Sequence, residues 1–199
     1  MKKLLHLVGR KNHGKTTLLV ELVRELRGRG LRIGTIKHSS HSHELDAPGK
    51  DSSRHRQAGA APAAIVTADQ VMVFLPRAPG STFYASLEPT FAGCDLVLVE
   101  GDIGGPGVKV EVWRAEVGGE PLAAGRRDIT AVVSDDPIAT TVPRWPRGDV
   151  RRLGDLVLAA ARELEPASSR TGRVSERRVR TSAFRRGWSS RGRRLDPAP

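Results

Sequence analysis

The chain predicts an α/β fold: a mostly parallel sheet flanked by helices, with a disordered basic C-terminal tail. Three observations carry this. Residues 9–16 read Gly-Arg-Lys-Asn-His-Gly-Lys-Thr, a complete G-x-x-x-x-G-K-[ST] phosphate-binding loop (P-loop), set between a short apolar run and an amphipathic segment. Through residue 165, strand-length apolar runs alternate with helix-period segments, the pattern of strands joined by covering helices. From Pro166 to Pro199, ten arginines stand against two acids, with too little apolar surface to offset the entropy of ordering. The division expected is therefore 1–165, a nucleotide-binding P-loop domain, and 166–199, an Arg-rich disordered tail.

Leu4 to Val8 reads as the first, buried strand. The glycine-rich turn follows directly, and Thr17 to Leu26 reads as a helix with Leu18, Leu22 and Leu26 in one stripe and Leu19 and Val23 beside it. Gly28 and Gly30 end it. Leu31 to Ile36 is the second strand, and a polar, His-rich loop runs from Lys37 to about Ser53. A short helix is expected at Arg54–Ala60, then strands near Ala64–Thr67 and Val71–Leu75. Phe83 to Ala92 reads as a helix interrupted near Pro89, and Leu96 to Val99 as a buried strand. Val108, Val110 and Val112 alternate with polar residues, which predicts a half-exposed strand. Ile129–Val133 is a further strand, and a last helix starts at Asp149 or Val150, runs to Leu164 and ends at Pro166.

The spacing of the loop follows from its chemistry. Gly9 permits a sharp turn off the strand, and Gly14 lets backbone N–H groups approach phosphate oxygens. Those groups open a helix, where the dipole favours an anion. Lys15 reaches the β- and γ-phosphates, Thr16 is placed to ligate Mg²⁺, and Thr17 is placed near the α-phosphate, so residues Gly9, Arg10, Lys11, Asn12, His13, Gly14, Lys15, Thr16 and Thr17 form the candidate phosphate site. A Mg²⁺ shell needs an acid at the carboxyl end of a neighbouring strand. Glu100 follows the Leu96–Val99 run at that end, whereas Asp95 precedes it at the wrong one. A capping role for Glu100 is the alternative.

No Asn/Thr-Lys-x-Asp base-reading segment is present. Asp135 or Asp136, after the Ile129–Val133 strand, can accept from a guanine edge or can simply start a turn, so spacing leaves guanine versus adenine open. His38, His41, His43, Glu44 and Asp46 admit three readings: a metal cluster, a phosphate or partner contact together with Lys50, Arg54 and Arg56, or a solvated loop.

Composition bounds the rest. The net charge of +11 resides mostly in the tail, which carries a surplus of eight. That tail suits nucleic acid, an acidic partner or an anionic membrane surface, or is an extension without a ligand; no nucleic-acid-binding module is readable in it. No apolar run approaches the roughly 18 residues of a membrane span. The apolar stretch after Met1-Lys2-Lys3 runs straight into the phosphate loop, against a signal peptide. One cysteine, Cys94, excludes an intramolecular disulfide and fits the cytoplasm.

Thr35-Ile36-Lys37-His38, Asp46-Ala47-Pro48-Gly49-Lys50-Asp51-Ser52 and Arg54-His55-Arg56-Gln57-Ala58-Gly59-Ala60 resemble the molybdopterin-guanine dinucleotide biosynthesis adaptor family (MobB). The P-loop, Val97–Gly101 and Ala131–Asp135 fall in the expected order, and the Pro48–Ala60 stretch is the most specific part. The resemblance implies a P-loop α/β fold, GTP and Mg²⁺ as ligands, at most weak GTP hydrolysis, and a homodimer. It also implies a role assisting the guanylyltransferase that joins GMP to molybdopterin, with contact to the molybdopterin cofactor. Carried onto this chain, Thr16, Glu100 and Asp51 are the metal candidates, and Lys50, Arg54, Arg56 and Asp135 join the P-loop as nucleotide candidates. The family usually follows Glu-Gly with an aromatic residue and a lysine; here Asp102-Ile103-Gly104-Gly105 stands instead, so that lysine's contact is missing or moved to Lys109. No residue reads as orienting an attacking water, and no arginine finger is evident in the P-loop half, unless Arg54 is supplied across a dimer. The competing functions are an ATP-using small-molecule kinase and a nucleic-acid-associated P-loop protein acting through its tail.

Overall fold

The computed structural model describes residues 3–39, 45–77 and 83–161. The tail 166–199, with its predicted disorder, lies outside the described residues, as do His41, His43 and Glu44 of the His-rich loop.

Six strands form one sheet: β1 (Leu4–Val8), β2 (Ile33–Lys37), β5 (Leu96–Glu100), β6 (Val108–Val112), β7 (Ile129–Val133) and β8 (Arg144–Trp145), in the order β2-β5-β1-β6-β7-β8. Every neighbouring pair in it is parallel. The strands β3 (Ala63–Val66) and β4 (Val71–Phe74) form a separate antiparallel hairpin. Four helices, α1 (Lys15–Gly28), α2 (Asp51–Gln57), α3 (Tyr84–Phe91) and α4 (Val150–Ala160), complete the described elements together with two short 3₁₀ turns at Ala115–Val117 and Leu122–Ala124. The expected mostly parallel α/β architecture is what forms.

The sheet is covered on both faces, as parallel sheets are. On one face Leu5, Leu7, Leu96, Leu98, Val108, Val110, Val112, Ala131 and Val133 pack under the Leu18–Leu22–Leu26 stripe of α1 and under Leu153 and Val157 of α4. The other face is filled by Leu4, Val97, Val99 and Ile36 beneath α3, and by Val8, Ile129 and Val132 beneath Ala123 and Leu122.

That second layer corrects the half-exposed reading of β6, all five residues of which are buried. Its polar members face the covered side and are answered there. Glu111 accepts from the backbone N–H groups of Leu122 and Ala123 at 2.8 and 2.9 Å. Lys109 pairs with Asp128 at 3.4 Å. The helix expected at Arg54–Ala60 forms at Asp51–Gln57 instead. Asp51 in its first turn complements the helix dipole, and Gly59, with φ 99°, closes its end. The two-residue strand β8, which holds buried Trp145, is too short to announce itself by periodicity.

Gly34 shows how closely α3 sits on the sheet: a Cβ there would stand 2.5 Å from Phe91 Cδ1 and 3.1 Å from Cys94 Sγ. Gly34→Ala is expected to cost about 1–3 kcal/mol by overpacking, read as a lowered denaturant midpoint at unchanged m-value.

Candidate functional site

β1 delivers the loop 9–14 to the carboxyl edge of the sheet, and α1 departs from it. Gly9 has φ 137°, and a Cβ there would lie 2.5 Å from the Val112 carbonyl oxygen of β6. Only glycine allows the loop to press this closely on the neighbouring strand. Gly14 holds the helix N-cap at φ 83°, with no side-chain cap and no acid in the first turn. The N–H groups that open α1 are thus left without a side-chain acceptor, beside the positive end of its dipole.

The two metal candidates nearest the loop come together. Thr16 Oγ1 donates to Glu100 Oε1 at 2.6 Å. The strand ladder explains the meeting, because Leu7 of β1 is paired with Glu100 at the end of β5. A hydroxyl and a carboxylate side by side at a helix start are a hard-oxygen donor set, and this suits Mg²⁺. Lys15 Nζ donates to the Arg10 carbonyl oxygen at 2.6 Å, folded back on its own loop. Burial pulls its pKa below the ordinary value; Glu100 works against that and Lys37 adds to it. Lys37, at the end of β2, lies 3.8 Å from Glu100 Oε1. Nothing local in the sequence marks Lys37 as a site residue; its place follows only once β2 is known to pair with β5, where Lys37 stands opposite Glu100.

His13 turns its side chain inward. It is buried, and its Nδ1 accepts from the Arg114 backbone N–H at 2.9 Å, pinning the loop to the end of β6. Burial lowers its pKa, with Lys15 adding to the effect, in keeping with a neutral ring whose proton sits on Nε2.

The remaining candidates serve their own surroundings. Asp51 pairs with Arg54 within α2, at 3.9 Å. Arg56 pairs with Asp46 at 3.7 Å and lies over the Phe74 ring, which ties α2 to the hairpin. Lys50 is the N-cap of α2. Asp135 Oδ1 accepts from the backbone N–H groups of Arg147 and Gly148, at 2.7 and 3.1 Å, and so organises the turn after β8. A cavity of about 240 Å³ lies beside it, lined by Ser134, Asp135, Arg144, Pro146 and Arg152. Asp136 Oδ2 accepts from the Ala115 N–H at 2.7 Å. Asp95 Oδ2 accepts from the Arg32 N–H at 2.7 Å, on the opposite edge from the loop, as its position in the sequence predicts.

Behind Glu100 lies a polar cluster with no counterpart among the sequence candidates. His6, buried on β1, has Nε2 2.7 Å from the Pro106 carbonyl oxygen and Nδ1 3.2 Å from that of Gly101. A neutral imidazole can donate to only one of them. Tyr84 of α3 donates its hydroxyl to Asp102, which sits in the left-handed region at φ 55°. Burial, then the Asp102 bond, push the Tyr84 pKa up. The loop that carries Glu100 is therefore held from below by β1 and α3. Among the described residues, no group of three or more His, Cys, Asp or Glu is arranged to hold a metal, and no helix is long and apolar enough to cross a membrane.

Fold and loop together define a P-loop NTPase-class protein. Residues 4–135 match the family model described as MobB, molybdopterin guanine dinucleotide synthesis protein B. The molybdopterin-guanine dinucleotide biosynthesis adapter protein of Escherichia coli (strain K12) is 38% identical over 152 residues, covering 73% of this chain and 85% of that one. Its counterpart from Haemophilus influenzae is 35% identical over 137 residues, covering 68% and 76%. A crystal structure of a MobB protein homolog from Bacillus stearothermophilus aligns with a TM-score of 0.56 at 26% identity, covering 78% of this chain and 98% of that one. The chain belongs to the MobB family of molybdopterin-guanine dinucleotide biosynthesis adapter proteins.

Burial lowers the pKa of both His6 and His13 from 6.5. In the unfolded chain both take up protons as pH falls through 6.5; in the folded chain they do so only at lower pH. Stability is thus full above pH 6.5 and is lost below it, with a slope of up to about 1.4 kcal/mol per pH unit for each histidine. Melting temperatures followed downward through this range should show the loss, and His6→Gln should flatten it; a slope unchanged in both His6→Gln and His13→Gln would refute this account.

Proposed function

We propose that the protein binds GTP with Mg²⁺ in the loop 9–17 and, as a homodimer, assists a guanylyltransferase that builds molybdopterin-guanine dinucleotide. The observation that carries the nucleotide half is the bond between Thr16 and Glu100 at the uncapped start of α1. Thr16 and Glu100 would hold the magnesium ion, which when bound neutralises phosphate charge. Lys15 would exchange the Arg10 carbonyl for phosphate oxygens. Asp135, at the end of β7 beside its cavity, is the residue proposed to meet the base through the carboxylate oxygen that does not cap the turn. The guanylyltransferase rests on family membership and on the names of the two curated relatives. Slow hydrolysis at most is consistent with a loop beside which Thr16 and Glu100 form a metal-binding pair.

Calorimetry with Mg²⁺ tests the nucleotide half. Tight GTP binding, much weaker ATP binding and loss of both in Lys15→Ala are expected. A preference for ATP would overturn the adaptor reading and bring forward a small-molecule kinase. Glu100→Gln should remove most of the Mg²⁺ dependence of binding while leaving the fold intact.

The homodimer has its own support. One face of the β3–β4 hairpin shows solvent an apolar set, Val66, Val71 and Val73, with Leu75 just beyond β4, each 48–72% exposed. Neighbouring exposed apolar side chains on one face mark a surface suited to association. Val71→Asp together with Val73→Asp should shift the protein from dimer to monomer in sedimentation analysis, and a wild-type monomer would end the idea.

A further inference from the structure

We propose that Arg114 is a phosphate-contacting arginine of the nucleotide site, held over the loop by Glu116 until the terminal phosphate of a bound nucleoside triphosphate takes that carboxylate's place. The inference rests on the nucleotide reading above and adds a residue to it. Arg114 follows β6, and its side chain lies against Gly14 of the P-loop. A Cβ placed on Gly14 would lie 3.8 Å from Arg114 Cδ and 4.0 Å from its Nη1.

The backbone there is fastened from two sides. The Arg114 N–H donates to His13 of the loop, and the Ala115 N–H donates to Asp136 at the end of β7. Among the described residues, the side chain is fastened by Glu116, which pairs with Nη2. That pair is half-exposed, at 45% for Arg114 and 65% for Glu116. Exposed ion pairs contribute little, so breaking this one costs little. A terminal phosphate brings more negative charge than a single carboxylate and matches the guanidinium fork. Lys15 and Lys37, which flank Glu100, are point charges, and the planar guanidinium the loop itself carries is that of Arg10. Arg114 adds a second planar fork, with its backbone fixed and its side chain tied to an exposed carboxylate.

The test is calorimetry on the full chain with Mg²⁺, titrating GTP and GDP into wild type, Arg114→Ala, Glu116→Gln and Lys15→Ala. Arg114→Ala should weaken GTP about tenfold more than GDP, the size of one charge-assisted bond. Glu116→Gln should tighten GTP and leave GDP nearly unchanged. If Arg114→Ala fails to fold by circular dichroism, the Glu116→Gln arm alone decides. A wild-type GTP-to-GDP affinity ratio retained in Arg114→Ala, or in Glu116→Gln when that arm decides alone, overturns the proposal. If Lys15→Ala still abolishes binding, the nucleotide reading then stands. Wild type that binds neither nucleotide, or binds them regardless of Lys15, defeats that reading and the proposal with it.

Discussion

Everything at the carboxyl edge depends on β1 running parallel between β5 and β6. Parallel neighbours end at the same edge, so the turn after one strand meets the turn after the next. The pairing of Leu7 with Glu100 brings a carboxylate from far along the chain to the hydroxyl of Thr16. The contact of Gly9 with the Val112 carbonyl sets the height of the loop above β6. A shift of either ladder by one residue would turn alternate side chains to the other face and leave Thr16 facing no carboxylate.

What could be read from the chain alone was whatever is local. The P-loop is eight consecutive residues, and the strand and helix around it have their own apolar patterns. Glu100 was readable because it ends a run of four apolar residues. Lys37, Arg114 and the His6–Tyr84–Asp102 cluster were not, because each depends on which strand or helix lies beside which. Tyr84 belongs to α3 and His6 to β1, and nothing in either segment names the other. The polar alternation of β6 misled for the same reason. It signals one apolar face and is silent about a chain segment that returns to cover the other.

The second face of the sheet has an uncommon population for a buried layer: His6, Lys109 and Glu111. Each meets a partner, whether carbonyl oxygens for the imidazole, Asp128 for the lysine or two backbone N–H groups for the carboxylate. Buried polar groups that are satisfied in this way fix one arrangement of the segments they touch, since any other leaves them bare. Here those segments are the loop after Glu100 and the turn at Leu122–Ala124, so the apolar face supplies cohesion and the polar face supplies registration.

The missing cap at the start of α1 reaches beyond the site. A first turn capped by Gly14 forgoes the few tenths of a kcal/mol that a capping side chain would add. Any polyanion that occupies it, and that ignores the unfolded chain, lends that stability from outside by mass action. Each tenfold rise in free ligand above its dissociation constant then deepens the folded basin by about 1.4 kcal/mol. The lifetime of the folded chain in a cell would in that way report the supply of any anion that binds there.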